Sequence, residues 1–508
     1  MRVYIVGAGP GDPALISVRG LECLQRAAVV VYDHRVHERL LDSAPVTAER
    51  IDVGAAAPKP LDQDAITYLL AEKAREGKVV VRLKWGDPFV FDSGGKEAIF
   101  LHEQGIPFEV IPGIPLAIAG SAYAGVPITY PEAGDAVILI RGNEAESDAP
   151  PHVDWTHVAG IRGTLVCYAG ASQVPAIARA LVSHGKPPDE AAVLVYDATT
   201  PAQRTIQGTI GEIAHHALPD RPALFIVGAV AGLRDHLRWF DRRPLFRRRI
   251  VVTRSSDQAS ELVRMLEDLG AETVSMPTIR ILPAEDPAAI DAACDTAETF
   301  DWIVFTSVNG VEHFMTRFLA RRDIRDLKGV RVCTVGPATT ARVQQFGIQV
   351  DVTPAEFRAE GVLAALGEID ELDGARILLP HAQMAREVLG DELRKAGADV
   401  VELVTYRTEI GGEPGQDVYR MLLDRRVDAV TFTSASTVRN FVRLLGAEQA
   451  ADLLRTTTVA AIGPVTAEAA QHLGITAAVI PDEYTIPALV GALVAHFKNH
   501  PDPLTVAR

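Results

Sequence analysis

The 508-residue sequence has few cysteines, few aromatic residues and no long apolar runs. Its four cysteines, Cys23, Cys167, Cys294 and Cys333, are scattered without metal-ligand spacing, so neither a metal site nor a disulfide framework is expected. No apolar run reaches the length of a membrane span, and the N-terminus enters a strand without a signal peptide's apolar stretch. We therefore expect a cytoplasmic protein with buried free thiols.

Positive charge is also scarce. The chain has 50 Lys and Arg against 66 Asp and Glu, a net charge of −16. A chain this acidic is a poor general binder of nucleic acid or of anionic membranes, so neither is expected as a partner. Plentiful glycine and alanine with 6% aromatic residues suit α/β domains, and the length suggests about three or four of them.

Short apolar strands in the first half each run into a loop rich in glycine, proline or aspartate. Strand ends of this kind form the ligand-binding edge of an open α/β sheet. The first loop differs from the dinucleotide fingerprint, because Pro10 and Pro13 break its loop-to-helix geometry. The strands and the loops that follow them are VYIV before GAGPGDP (3–13), AVVVY before Asp33, VVVRL before KWGDPFVF (79–91) and FEVI before PGIP (108–115).

These motifs, followed by AYAGVPIT (122–129) and GTLVCYAG (163–170), resemble the tetrapyrrole methyltransferases, in particular uroporphyrinogen-III C-methyltransferase. The resemblance covers essentially the whole first half. It implies a domain over 1–243 with two α/β subdomains, about 1–114 and 118–240, S-adenosylmethionine between them, and a homodimer. The positions that match cofactor contacts of the family are Gly9, Pro10, Gly11, Asp12, Gly86, Asp87, Val90, Pro115, Leu116, Ala169 and Ala198.

Asp33 matches a carboxylate that the family is proposed to use as a proton acceptor. Methylation of a macrocycle carbon has to be accompanied by loss of a proton, so a base at this position makes chemical sense. The alternative for Asp33 is an ordinary helix N-cap.

Other positions depart from the family pattern, mainly on the substrate side. Ala55 stands where the family has a lysine proposed as proton donor. Methyl transfer to the usual substrate is therefore an open question, although cofactor binding is compatible with the changes. The remaining departures are His34-Arg35-Val36 for Arg-Leu-Val, Trp85 for glycine, Asp92 and Ser93, Tyr130, Arg141-Gly142-Asn143 for Thr-Gly-His, Ala169 for methionine and Ala198 for glycine.

The second half contains an internal repeat with a period of 127 residues. DWIVFTS at 301 recurs as DAVTFTS at 428, and Gly336-Pro337 recurs as Gly463-Pro464. Matches at one offset indicate two copies of one α/β unit. Strands alternate with helices, which predicts parallel sheets with crossover connections. Hydroxyl-rich loops at the predicted helix starts favour a cleft for carboxylates, although each loop alone is also explained by N-capping.

The second half resembles uroporphyrinogen-III synthase through VTRSSDQASEL, FTSVNGV, CTVGPATT, VTYRT, FTSASTVRNF and IGPVTAEA. The resemblance implies a domain over 244–508 with two similar α/β lobes, about 248–280 plus 408–500 and 284–404. PTIRILPA (277–284) and VELVTYRT (401–408) fit the linkers between them. The implied reaction is cyclisation of hydroxymethylbilane to uroporphyrinogen III with inversion of the last ring and loss of water, without cofactor or metal.

Loss of the hydroxyl group requires a proton donor near the leaving oxygen. Tyr406 matches the family's proposed tyrosine donor, and the alternative is a half-buried linker tyrosine that packs. Much of the rate can instead come from folding the substrate into a reactive conformer. The candidates for substrate binding are Arg254, Thr306, Ser307, Ser434, Ser436, Thr437, Gly463 and Thr466.

The sequence therefore predicts a bifunctional enzyme that makes uroporphyrinogen III and methylates it toward precorrin-2, for sirohaem or cobalamin. One alternative is a silent or altered-substrate first half, and another is a tetrapyrrole-binding regulatory protein. The two halves meet at WFDRRPLFRRRI (239–250). Its arginine cluster is interpreted as a solvated linker, or as a basic joint that holds a polycarboxylate intermediate between sites.

Overall fold

The computed structural model is an α/β protein. It describes residues 2–33, 35–54, 57, 60–142, 149–170, 172–216, 222–254, 256–354, 359–369, 371–383, 388–411 and 416–500. The chain divides into two compact units. One holds the residues up to Arg248 with Leu266–Glu272 and the end of the last helix from Phe497, and the other holds Arg249–Met265 and Thr273–His496.

The N-terminal sheet of the first unit is fully parallel and belongs to the open α/β type that the strand and loop pattern predicts. Its strands lie in the order β3-β2-β4-β1-β5, so that β1 and β4 are neighbours. The elements are β1 (Arg2–Gly7), α1 (Val18–Gln25), β2 (Val29–Tyr32), α2 (Glu38–Leu41), β3 (Glu49–Asp52), α3 (Gln63–Arg75), β4 (Val79–Lys84), α4 (Gly94–Glu103) and β5 (Phe108–Ile111).

The second sheet of this unit is mixed, which the sequence pattern did not specify. Only the β6–β7 pair is parallel, and β10 pairs antiparallel with both β7 and β8 in the order β6-β7-β10-β8-β9. The elements are α5 (Leu116–Tyr123), β6 (Ala136–Arg141), α6 (Trp155–Gly160), β7 (Gly163–Ala169), α7 (Val174–Ser183), β8 (Ala191–Tyr196), β9 (Arg204–Thr209), α8 (Ile210–His216), β10 (Ala223–Val227) and α9 (Arg234–Leu237).

The rest of the chain forms two further sheets. Their elements are β11 (Arg249–Val252), α10 (Ser256–Asp268), β12 (Glu272–Ser275), β13 (Ile279–Pro283), α11 (Pro287–Asp295), β14 (Trp302–Phe305), α12 (Val308–Leu319), β15 (Arg331–Thr334), α13 (Pro337–Gln345), α14 (Ala359–Gly367), β16 (Arg376–Ala382), α15 (Val388–Lys395), β17 (Asp399–Ile410), α16 (Gln416–Leu423), β18 (Ala429–Phe432), α17 (Ala435–Leu445), α18 (Ala447–Leu453), β19 (Thr458–Ala461), α19 (Pro464–Gln471) and α20 (Ile486–Asn499).

Each of these two sheets combines strands from both copies of the repeat. One has the order β12-β11-β18-β19 and the other β17-β16-β14-β15, with β13 added at its edge. Apart from β13, each strand of one sheet therefore has its 127-residue counterpart at the same place in the other sheet, and each sheet takes two of these strands from each copy. The long strand β17 pairs parallel with β16 and antiparallel with β13, which confirms the predicted two-stranded linker.

Residues 239–248 of the joining stretch belong to the first unit, where the stretch has two buried apolar residues. Phe240 and Leu245 are 3% and 0% exposed. The Phe240 ring lies 4.7 Å from the Tyr123 ring. The Arg243 guanidinium lies 4.6 Å from the centre of the Trp239 ring. The segment therefore buries Phe240 and Leu245, whereas Trp239, Arg242 and Arg247 stay exposed.

The four cysteines are buried free thiols, as predicted. Burial raises the pKa of each, that of Cys294 to about 11 and that of Cys333 to about 12. These thiols are therefore protonated near neutral pH and do not serve as nucleophiles. In the described part of the chain, no helix has the length and apolarity that a membrane crossing requires.

Candidate functional site

The loops after β1 and β4 are fastened to each other by backbone hydrogen bonds. The Gly86 amide donates to the Gly9 carbonyl across 2.8 Å, and the Gly9 amide donates back to the Gly86 carbonyl across 3.2 Å. Both residues have positive φ angles, +81° at Gly9 and +69° at Gly86, which glycine adopts at little cost. The two glycine-rich loops that the sequence singled out therefore form one wall at the carboxyl edge of the sheet.

Two aspartates in these loops fix their shape. Asp87 accepts hydrogen bonds from the Phe89 amide across 2.8 Å and from the Gly113 amide across 3.0 Å, which ties the β4 loop to the β5 loop. Asp12 accepts a hydrogen bond from the Tyr123 hydroxyl across 2.9 Å. Gly9 and Asp12 thus support the predicted cofactor loop through contacts within the protein.

A cavity of about 540 Å³ lies between the two subdomains. Five of the predicted cofactor positions line it: Pro10, Gly11, Leu116, Ala169 and Ala198. Its wall combines small residues such as Gly11, Ala169 and Ala198 with the larger side chains of Trp85 and Tyr168. The remaining lining residues are Arg35, Trp85, Tyr168, Gly170, Val195, Asp197, Thr200, Ala202, Pro222, Ala223 and Leu224.

A second cavity of about 420 Å³ shares part of this wall and contains Asp33. The two cavities have Arg35, Trp85, Leu116 and Tyr168 in common. A Cβ built on Gly86 would meet no atom within 4 Å, so any side chain there would occupy open space. The predicted positions Gly86, Asp87, Val90, Pro115 and Leu116 line this cavity, with Arg35, Val53, Gly54, Trp85, Phe91, Asp92, Ser93, Arg141, Gly142 and Tyr168.

Asp33 belongs to a buried network of charged side chains. Its Oδ1 accepts a hydrogen bond from Arg82 Nη2 across 2.7 Å. Arg82 Nε donates to Glu97 Oε1 across 3.2 Å, and Lys84 Nζ donates to the same oxygen across 3.1 Å. Lys84 also reaches Asp92 across 3.0 Å. Since the Asp33 side chain pairs with Arg82 and His37 caps the short helix α2, the N-cap interpretation of Asp33 is wrong.

The centre of this network is inaccessible to water. Arg82 and Lys84 are each 1% exposed and Glu97 is 0% exposed. Burial by itself would raise the pKa of Glu97, but Arg82 and Lys84 more than offset that effect and leave the pKa below its ordinary value. The buried network therefore fixes the Asp33 side chain from the protein interior, and Asp33 itself lines the cavity.

Tyr406 lies beside the start of helix α12. Its hydroxyl is 3.1 Å from Ser307 Oγ, and the His313 ring stacks on the tyrosine with centroids 5.6 Å apart. Ser307 is the helix N-cap, whose Oγ accepts a hydrogen bond from the Gly310 amide across 3.0 Å. Tyr406 is 8% exposed, so it is more buried than the half-buried linker residue that the sequence suggested. Thr306 lies at the end of β14, next to this pair.

The other hydroxyl-bearing candidates lie on the opposite sheet of this half. Ser434 caps α17 and is 2.8 Å from Ser436 Oγ. Thr437 is 5% exposed and donates to the Ser434 carbonyl across 2.7 Å, so its hydroxyl serves the cap. This arrangement favours the helix-capping interpretation for Thr437, which is the N3 residue of the capping box, and leaves Ser436 as the exposed hydroxyl of the first turn.

The remaining candidates lie at strand ends of the same sheet. Gly463 is the N-cap of α19, and the Tyr484 ring lies against it, 3.0 Å from where a Cβ would be. Thr466, in the first turn of α19, is buried at 4% exposure. Arg254 follows β11, and partial burial lowers its pKa, opposed by the nearby Glu261. Ala55 and Asn143, which depart from the family pattern, lie outside the described residues.

Comparison with known proteins separates the chain into two matches. Residues 2–214 match the family model of tetrapyrrole (corrin/porphyrin) methylases, and residues 260–491 match that of uroporphyrinogen-III synthase HemD. The porphyrin biosynthesis protein HemD of Ruminiclostridium josui is 34% identical over 499 residues, covering 97% of each chain. The chain belongs to this family of fused tetrapyrrole methylases and uroporphyrinogen-III synthases.

Two further relatives are similar to parts of the chain. Uroporphyrinogen-III C-methyltransferase of Bacillus subtilis is 34% identical over 64% of this chain and 68% of its own length. Siroheme synthase of Neisseria meningitidis serogroup B is 42% identical over 47% of this chain and 49% of its own length. The chain thus spans about half of that synthase. As a member of the fusion family, it is a bifunctional enzyme of tetrapyrrole biosynthesis, with a methyltransferase half and a synthase half.

Several cavity residues of this fusion enzyme were not among the sequence candidates. Tyr168 lines both cavities and accepts a hydrogen bond from the Ala117 amide across 3.0 Å. Arg35, Trp85 and Arg141 were noticed only as departures from the family pattern. Their place in the sequence could have predicted them, because each lies at or just after the carboxyl end of a strand, β2, β4, β6 or β7.

Proposed function

We propose that the methyltransferase half transfers methyl groups from S-adenosylmethionine to carbon atoms of uroporphyrinogen III, giving precorrin-2 for sirohaem or cobalamin. The observation that carries this proposal is the pair of cavities with a common wall. Each is lined by five of the predicted cofactor positions, with Leu116 in both, and the second also contains the carboxylate of Asp33. A methyl donor in the first and a macrocycle in the second would meet at Trp85, Leu116 and Tyr168.

The residues around the first cavity suit S-adenosylmethionine. Pro10 and Gly11 of the β1 loop, with the short side chains of Ala169 and Ala198, line a cavity that leaves room for a flat adenosine group. When bound, this cofactor supplies an electrophilic methyl group. The protein's part is to hold the macrocycle carbon facing that group and to exclude water from the cavity.

Asp33 is proposed as the base. When the macrocycle gains a methyl group at carbon, a ring proton has to leave, and the carboxylate accepts it. Arg82 fixes the carboxylate through Oδ1 in the cavity wall, so the residue is oriented before the substrate arrives.

We propose that the synthase half cyclises hydroxymethylbilane to uroporphyrinogen III with inversion of ring D. Tyr406 donates the proton with which the hydroxyl group leaves as water, and Ser307, 3.1 Å away, orients the phenol. The proton released from the pyrrole carbon when the macrocycle closes returns to the phenolate. The proposed substrate contacts are Arg254, Thr306, Ser434, Ser436, Gly463 and Thr466. No cofactor or metal enters this reaction as proposed.

A second candidate for the first half is methylation of a different tetrapyrrole. The indole of Trp85 is the observation that favours it, because this bulky ring lines both cavities where the resemblance implies glycine. The two candidates differ in substrate and share Asp33 and the methyl donor. Comparing uroporphyrinogen III with more highly methylated tetrapyrroles as methyl acceptors separates them.

The remaining proposals follow from the resemblance and the thiols. The domain boundary falls between residues 243 and 244, and two copies of the chain associate through the methyltransferase half. Both reactions take place in the cytoplasm, which the four free thiols support because reducing compartments keep thiols reduced.

Each half is tested with its own substrate. Preformed uroporphyrinogen III and methyl-labelled S-adenosylmethionine are given to the full chain, and transfer of label to the macrocycle is measured. Hydroxymethylbilane is given separately, and the isomer of the cyclised product is determined. Labelled product that depends on Asp33, and isomer III that depends on Tyr406, support the proposals. An unlabelled macrocycle refutes the first, and isomer I alone refutes the second.

A further inference from the structure

Two arginines in the wall of the Asp33 cavity stand apart from the charge network behind it. Arg35 follows β2 and Arg141 ends β6, so they belong to different subdomains. Both are exposed. Among the residues that the structure describes, neither guanidinium has a carboxylate within ion-pair distance; Arg35 instead lies over the Trp85 ring at 5.4 Å from its centre.

The carboxylates of the same cavity are already occupied. Asp33 pairs with Arg82 across 2.7 Å, and Asp92 pairs with Lys84 across 3.0 Å. Asp87 accepts hydrogen bonds from two backbone amides. The negative charges of the wall are therefore compensated by groups of the protein, and the two guanidinium groups are the charges left to meet a ligand.

We propose that Arg35 and Arg141 together bind two peripheral carboxylates of an acidic macrocycle, and that Trp85 offers its ring face to the macrocycle between them. The proposal rests on the methyltransferase function proposed above and names the contacts that orient its substrate. Planar guanidinium groups suit carboxylates, and an indole face suits a ring. Because Arg35 and Arg141 belong to different subdomains, binding by both would determine which edge of the macrocycle faces Asp33.

This pair is a property of this chain. The sequence departs from the family pattern at both positions, with Arg35 one residue later than the family's arginine and Arg141 in place of threonine. Trp85, on which Arg35 lies, is also a departure. These three departures line one cavity, together with the departures at Asp92 and Ser93, and a rearranged substrate contact explains them together.

The test compares the full-length variants Arg35→Gln, Arg141→Gln and the double variant with wild type in methyl transfer to uroporphyrinogen III. Each single change is expected to raise KM by about tenfold, with kcat changed far less and with a weaker salt dependence of KM. Arg35→Lys and Arg141→Lys recover part of the loss. Arg179→Gln, at an exposed position on α7, is the matched control and keeps the wild-type KM.

Equilibrium binding of uroporphyrin III, the stable oxidised macrocycle, to the same proteins gives a readout that is independent of turnover. The double variant is expected to lose one of the binding events that wild type shows. A double variant with wild-type KM and wild-type binding overturns the proposal. If wild type transfers no methyl group but the double variant loses binding, the proposal that Arg35 and Arg141 bind the macrocycle is supported and the methylation proposal fails.

Discussion

Arg82 donates a hydrogen bond to Asp33 across 2.7 Å and, through another nitrogen, one to Glu97 across 3.2 Å. A residue that is 1% exposed thus joins the cavity carboxylate to a fully buried one. The relationship explains how Asp33 keeps a fixed position at a loop that follows a strand.

Replacing Asp33 with asparagine is expected to slow methyl transfer by about 10²- to 10⁴-fold, the usual contribution of a positioned base. Asparagine keeps the size of the side chain but does not accept the proton. Initial rates of label transfer measure the effect. Asp189→Asn, at an exposed position far along the chain, is the control. A rate within twofold of wild type would show that another group is the base.

Replacing Arg82 with glutamine is expected to destabilise the methyltransferase half by about 3–5 kcal/mol, because it leaves buried Glu97 with one partner fewer. Urea unfolding monitored by signals from this half measures the loss. Arg26→Gln, an exposed arginine beyond α1, serves as the control. A loss below about 1 kcal/mol, the range of surface ion pairs, would contradict the network.

Acid is expected to loosen the same network. The pKa of Glu97 is lowered in the folded protein, so its stabilising contribution is present above the unfolded value of about 4.3 and is lost as the pH falls through the lower folded value. Amide hydrogen exchange in peptides covering β4 and α4 should therefore accelerate below about pH 4, more than global unfolding explains. Exchange that is independent of pH after correction for the intrinsic rate argues against this assignment.

Replacing Tyr406 with phenylalanine is expected to slow formation of uroporphyrinogen III by about 10²-fold if proton donation limits the reaction. Tyr419→Phe, a tyrosine on α16 of the same half, is the control. Ser307→Ala removes both the hydrogen bond to Tyr406 and the helix cap, whereas Ser307→Asp keeps a cap acceptor. We expect the aspartate variant to recover stability but not turnover, and recovery of both would reduce Ser307 to a cap.

Strand ends and repeats were predictable because they depend on local pattern. The spacing of glycine and proline located the loops at Gly9 and Gly86. The repeat offset of 127 residues indicated that the synthase half contains two similar α/β units. The mixed sheet around β10 was not predictable, because apolar periodicity does not fix the direction of a strand. The family resemblance implied that one lobe combines two separate chain segments, whereas the repeat alone predicts two continuous units.

The buried network was also beyond the sequence. Arg82 and Lys84 alternate with apolar residues on β4, which ordinarily indicates a solvent-facing side of a strand. Only the fold shows that Glu97, on α4, covers them. Likewise, the arginines around Pro244 suggested a solvated segment, and the packing of Phe240 and Leu245 is a tertiary feature.

The most direct test of the whole account is to give hydroxymethylbilane to the full chain with and without S-adenosylmethionine and to identify the products. We predict uroporphyrinogen III without the methyl donor and its methylated product, precorrin-2, with it. Uroporphyrinogen I alone, as in the spontaneous reaction, would contradict the synthase assignment. Uroporphyrinogen III that accumulates unchanged despite the donor would contradict the methyltransferase assignment.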